Sequence, residues 1–202
     1  MKKGYHHGNL RQALVDAALE LIAAQGPNGF TLSEAAKTAD VTPAAVYRHF
    51  AGREDLIAEV ARQGFDNFAP LMEFANARGK PRALAAFEAT GRAYLAFARK
   101  YPGHYMAMFE SGLNLAAHPQ VADVALRAKA VQDMAAAGLA AQLPEGRRPP
   151  AAMFSAHVWA MSHGVVELFM RGKNRSPFPP EDLLETGIGI YLRGLGLLSP
   201  DR

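Results

Sequence analysis

From about residue 9 onward, apolar residues recur at helical spacing. Leu10, Leu14, Ala17, Ala18, Leu21 and Ile22 share one face of a first helix, and Gly26-Pro27-Asn28-Gly29 ends it. A short second helix follows, with Thr31 as its cap, Ser33 and Glu34 in its first turn, and Leu32, Ala35, Ala36 and Ala39 as a narrow apolar face. Asp40-Val41-Thr42 then breaks the chain. Asp40 tolerates the left-handed backbone of a tight turn, Val41 plugs the angle between helices, and Thr42 caps a third helix with Pro43 at its first position. On that helix Val46 and Phe50 lie one turn apart and face inward, so Ala44, Ala45, Tyr47, Arg48 and His49 face out.

Beyond the Ala51-Gly52 turn, Arg53-Glu54-Asp55 opens a long helix with Leu56, Ile57, Val60, Gly64, Phe68, Leu71 and Met72 on its apolar face. Gly79-Lys80-Pro81 ends it near residue 77. Further helices are expected over about 81–100, 119–143, 151–171 and 180–198, separated by proline- and glycine-bearing breaks and by the aromatic, methionine-rich HYMAMFESG segment. No stretch alternates as a strand does, and there is no internal repeat. The pattern therefore predicts an all-α chain: a three-helix unit over residues 1–52 and a helical bundle over residues 53–202, with the boundary at the start of a helix rather than in a loose linker.

The outward face of the third helix carries the first functional signal. Small Ala44 and Ala45 let a helix press against base edges, where a methyl group meets a thymine methyl, and Arg48 reaches guanine or phosphate. Tyr47, His49 and Arg53 suit backbone phosphates. Residues 30–56 resemble the signature of the TetR family of bacterial transcriptional repressors, with Thr31, Tyr47, Phe50, Arg53 and Leu56 in register; the sequence departs from it at Ala35, Asp40 and Arg53. The resemblance implies a helix-turn-helix DNA-binding head, with Lys3, Arg11, Thr31, Thr42, Pro43, Ala44, Ala45, Tyr47, Arg48, His49 and Arg53 at the interface. The basic arm over residues 1–9 either lies along DNA or is a plain tail.

In the bundle, Trp159, His163 and Gly164 resemble the Trp-x-x-x-His-Gly subset of that family, as does the segment around Tyr101 to Phe109. Trp159 and His163 lie one helical turn apart, so indole and imidazole point into one space. They read either as a ligand pocket with His163 as its polar anchor, or as a core histidine bonded to a neighbouring backbone group. Met72, Tyr94, Tyr105, Met108 and Phe109 read in the same two ways, as pocket wall or as core. The last helix is apolar on two sides. Gly187, Ile190, Tyr191, Gly194 and Leu197 mark a face that a second copy can cover, which with the Trp159 helix would make a four-helix dimer interface.

Charge changes this picture little. A net charge of +3 over 202 residues favours an anionic partner only slightly, so a DNA-binding field must come from local placement. There is no cysteine, hence no disulfide or thiolate chemistry, and neither a signal peptide nor a membrane-length apolar run is legible. His157 and His163 are poorly spaced as metal ligands, and no nucleophile elbow or phosphate-cradling glycine loop occurs. The expectation is a cytoplasmic homodimeric repressor without metal or cofactor. It binds double-stranded DNA at an inverted-repeat operator and is released by a small apolar effector. The competing reading is a helical ligand- or partner-binding protein that does not read DNA.

Overall fold

The computed structural model describes residues 10–171 and 176–198; the basic arm, with Lys3, lies outside them. All regular elements among the described residues are helical. They are α1 (Leu10–Gln25), α2 (Leu32–Thr38), α3 (Pro43–Val46), α4 (Arg53–Gly79), α5 (Ala83–Lys100), α6 (Pro102–Phe109), α7 (Pro119–Ala140), α8 (Ala151–Val165) and α9 (Pro180–Leu195), with α8 continuing as a π-helical turn over Val166–Arg171 and short 3-10 turns over Leu115–Ala117 and Glu145–Arg147.

The chain divides into two compact units, one of Met1–Asn67 with Tyr101–Ala125, the other of Phe68–Lys100 with Leu126–Arg202. In the first, α1 buries Leu14, Val15, Ala18 and Ile22 completely, and α6 packs against it. That packing is close: a Cβ added at Gly103 would stand 2.7 Å from the backbone oxygen of Leu19, and one added at Gly64 would stand 2.6 Å from Met108 Sδ. The α1–α6 approach thus requires Gly103, and the methionine-rich segment fills core space beside α1 and α4.

The second unit packs α5, α8 and α9 together, with Leu184, Ile188 and Leu192 as the inward row of α9. Phe87 and Tyr191 both stack on buried Phe154, at ring separations of 6.0 and 5.7 Å. Gly196, at φ 80°, closes α9 in the left-handed conformation expected of a helix C-terminus.

Candidate functional site

The head follows its sequence at the first cap and the turn and departs from it at the third helix. Thr31 caps α2 in a reciprocal box: the Glu34 N–H donates to Thr31 Oγ1 at 3.2 Å, and the Thr31 N–H donates to Glu34 Oε2 at 2.7 Å. Asp40 takes φ 55°, and the Val41 N–H donates to the Ala36 carbonyl at 2.9 Å, which fixes the turn. Thr42 occupies the cap position of α3 but its side chain makes no capping bond; Pro43 stands at the helix start. Regular helix ends at Val46 and single turns carry the chain on to His49.

Val46 and Phe50 are fully buried, which turns Ala44, Tyr47, Arg48 and His49 to the surface and leaves Ala45 half-buried; Tyr47 is 63% exposed. Thr31, Thr42 and Pro43 are exposed as well. The Arg48 side chain makes neither an ion pair nor a hydrogen bond among the described residues, so its guanidinium is available to an anion. Lys37, exposed near the end of α2, is equally uncommitted and was not singled out from sequence. Its signal was an exposed cation three residues after the capping glutamate.

The other two arginines expected at the interface, Arg53 and Arg11, also make internal bonds. Arg53 donates to the Asn28 carbonyl at 3.0 Å, to the Phe30 carbonyl at 3.4 Å and to Asn28 Oδ1 at 3.3 Å, so it braces the α1–α2 loop. Arg11 lies 5.0 Å over the Phe50 ring and forks onto Glu59 at 2.9 and 3.1 Å. Arg62 also forks onto Glu59, at 2.7 and 3.0 Å, and Gln63 donates to it at 2.9 Å. Burial alone would raise the Glu59 pKa; the donors on Arg62, Arg11 and Gln63 outweigh it and hold this carboxyl well below the usual range.

In the second unit a cavity of about 780 Å³ is lined from α4, α5, α7, α8 and α9, within the range of small-molecule sites. Of the seven sequence candidates for a pocket, Met72 and Tyr94 line it. Tyr105, Met108 and Phe109 do not. They belong to the first unit, where Tyr105 is fully buried, tilted against Phe109 at 5.0 Å, and Phe109 meets Phe65 edge-on at 5.6 Å.

Trp159 and His163 do share one space: their rings stack at 5.3 Å. His163 Nδ1 lies 2.8 Å from the Tyr94 hydroxyl, so a side chain on α5 is one of its partners. Burial pushes the His163 pKa down to about 4, so the ring is neutral at physiological pH. Neither Trp159 nor His163 lines the cavity; they meet it through Tyr94.

On α9, Ile190 is 62% exposed and Gly194 is open, with nothing within contact distance of a Cβ placed there. Gly187 is half-buried; Leu197 lies beyond the left-handed Gly196 that ends the helix, so it does not continue the expected face, and Tyr191 turns back to α8, where its hydroxyl lies 3.0 Å from His157 Nδ1. Among the described residues, no cluster of three or more His, Cys, Asp or Glu could hold a metal ion, and no helix is long and apolar enough to cross a membrane.

Residues 14–60 match the family model of bacterial regulatory proteins of the tetR family, and residues 87–191 match that of the tetracyclin repressor-like C-terminal domain. The HTH-type transcriptional regulator YobS of Bacillus subtilis (strain 168), itself uncharacterized, is 31% identical over 100 residues, 50% of this chain and 51% of YobS. The HTH-type transcriptional regulator BetI of Rhizobium meliloti (strain 1021) is 46% identical over 52 residues, 26% of either chain. The chain thus spans about half the length of the one and a quarter of the other. A solved protein of unknown function from Rhodococcus sp. RHA1 superposes with a TM-score of 0.75 at 25% identity, over 96% of this chain and 98% of that one. The TetR family regulator PfmR from Thermus thermophilus shares the fold, with a TM-score of 0.70 at 16% identity over 89% of this chain and 97% of its own. With a helix-turn-helix head and a bundle that both match their family models, the chain belongs to the TetR family of bacterial transcriptional regulators.

Proposed function

We propose that this regulator is a cytoplasmic repressor that binds an inverted-repeat operator as a homodimer and leaves it when a small, largely apolar effector occupies the cavity of the second unit. The observation that carries the DNA-reading part is the outward set Ala44, Tyr47, Arg48 and His49 over a buried Val46 and Phe50. Two such helices related by a two-fold axis would enter successive major grooves roughly 34 Å apart, which a palindromic site satisfies.

For dimerisation the support is the α9 face marked by Gly187, Ile190 and Gly194, with the exposed Ala156 and Ala160 of α8. An exposed isoleucine between glycines gains by burial against its own copy. Gly194→Glu should place a charge in that face and shift sedimentation from dimer to monomer at micromolar protein; a variant that sediments as the parent does would move the interface elsewhere.

The release step uses α4, which begins at Arg53 in the head and carries Met72 on the cavity wall. Pro70 lies inside this helix and has no N–H to give, so α4 is least braced there. An effector that favours one setting of α4 changes the separation of the two heads, provided that its affinity differs between the settings. The test is a gel shift with the DNA upstream of the protein's own gene. A retarded band that resists non-specific competitor supports the proposal, and no retention at low salt would instead favour a helical binding protein that does not read DNA.

A further inference from the structure

The cavity in the second unit has an apolar wall, and the polar groups buried most deeply in that wall are two hydroxyls. Thr90 and Ser162 line it, and both are more than nine-tenths buried. Each hydroxyl donates its proton to a carbonyl of its own helix, Thr90 to Phe87 at 2.7 Å and Ser162 to Val158 at 2.9 Å. What each oxygen has left for a ligand is lone pairs. A buried carboxylate or phosphate would face these lone pairs without a donor, whereas an N–H or O–H would be received.

The rim points the same way. Glu88 on α5 and Asp182 and Glu185 on α9 line the cavity, are exposed, and make no ion pair among the described residues. Glu181 beside them is already paired with Arg99, and Arg193 is likewise engaged. Arg92 is the one guanidinium on this rim without a partner among the described residues, so three free carboxylates face one free cation.

We infer that the effector is an amphipathic amine: an apolar body in the cavity and a protonated nitrogen held at the mouth by Asp182, Glu185 and Glu88. This rests on the effector reading given above and names its ligand class. The lone pairs within discriminate against acids, and the rim carboxylates select the cation through charge-assisted hydrogen bonds.

Calorimetric titration of the full chain with decylamine, decyltrimethylammonium, decanol and decanoate, below micelle-forming concentrations, separates the terms. Decylamine should bind most tightly, and decanoate about tenfold or more weakly. The double variant Asp182→Asn with Glu185→Gln should lose about tenfold in decylamine affinity and leave decanol unchanged. Both positions lie on the surface, so the variant should melt as the parent does. Decanoate binding as tightly as the amine, indifference of the double variant, or no binding of any of the four would overturn the inference. Operator release is measured separately by gel shift. Decylamine that binds without releasing DNA would remove the effector role and leave the ligand class standing.

Discussion

Replacing Tyr47 and Arg48 together by alanine should lower operator affinity by roughly a hundredfold or more while leaving the melting curve unchanged. An arginine on a base edge or phosphate contributes about 1–3 kcal/mol, and a dimer presents each contact twice. The fold should not notice the change. Tyr47 is 63% exposed and the Arg48 side chain makes no bond among the described residues, whereas the neighbours that hold the segment, Val46 and Phe50, stay in place. The two losses should differ in kind. Loss of Arg48 from a phosphate reduces the slope of affinity against salt, loss of the neutral Tyr47 lowers affinity at an unchanged slope, and loss of Arg48 from a guanine relaxes the sequence preference at one position of each half-site. Gel shifts on the operator and on scrambled DNA, each at several salt concentrations, separate these outcomes. Unchanged affinity together with an unchanged slope would remove α3 from the interface.

How well the sequence reports such a surface depends on how local the determining contacts are. The turn is local: Thr31 and Glu34 cap each other across one helical turn, Asp40 alone supplies the left-handed residue, and period alone turns Val46 and Phe50 inward. All of this was legible in a few adjacent residues. The fate of the cations was not, because Arg11 finds Glu59 forty-eight positions away and Arg53 finds Asn28 twenty-five away. Sequence shows a positive charge and hides its partner, so the bracing bonds of Arg11 and Arg53 could not be read from it.

The aromatic and methionine residues illustrate the same limit. Trp159 and His163 were placed on one face by spacing, but Tyr94, which bonds His163, lies sixty-nine residues away on α5. Tyr105, Met108 and Phe109 have the composition of a pocket wall and the placement of core beside α1 and α4, because the small Gly64 and Gly103 let α6 approach closely. A hydrophobic side chain touches whatever its helix is packed against, and composition alone does not name that surface.

Glu59→Gln should destabilise the head by about 2–4 kcal/mol near neutral pH. Glu59 is 7% exposed and accepts from two guanidinium groups and the Gln63 amide. A glutamine keeps the shape but turns an amide donor toward other donors and leaves Arg11 and Arg62 without their shared anion. The folded-state pKa of Glu59 lies below its unfolded value, so its stabilisation is complete above the unfolded pKa of roughly 4.3 and is lost as pH falls through that value toward the folded one. Denaturant unfolding at a series of pH values and fixed protein concentration should therefore show the parent and the variant far apart at pH 7 and converging in acid. Parallel curves throughout would mean that the carboxylate contributes by shape alone. Arg11 also lies over the Phe50 ring, so the variant loosens the support beneath the recognition segment, and its operator affinity should fall at temperatures well below its own melt. The coupling of stability to DNA reading in this head then runs through a glutamate that faces no base at all.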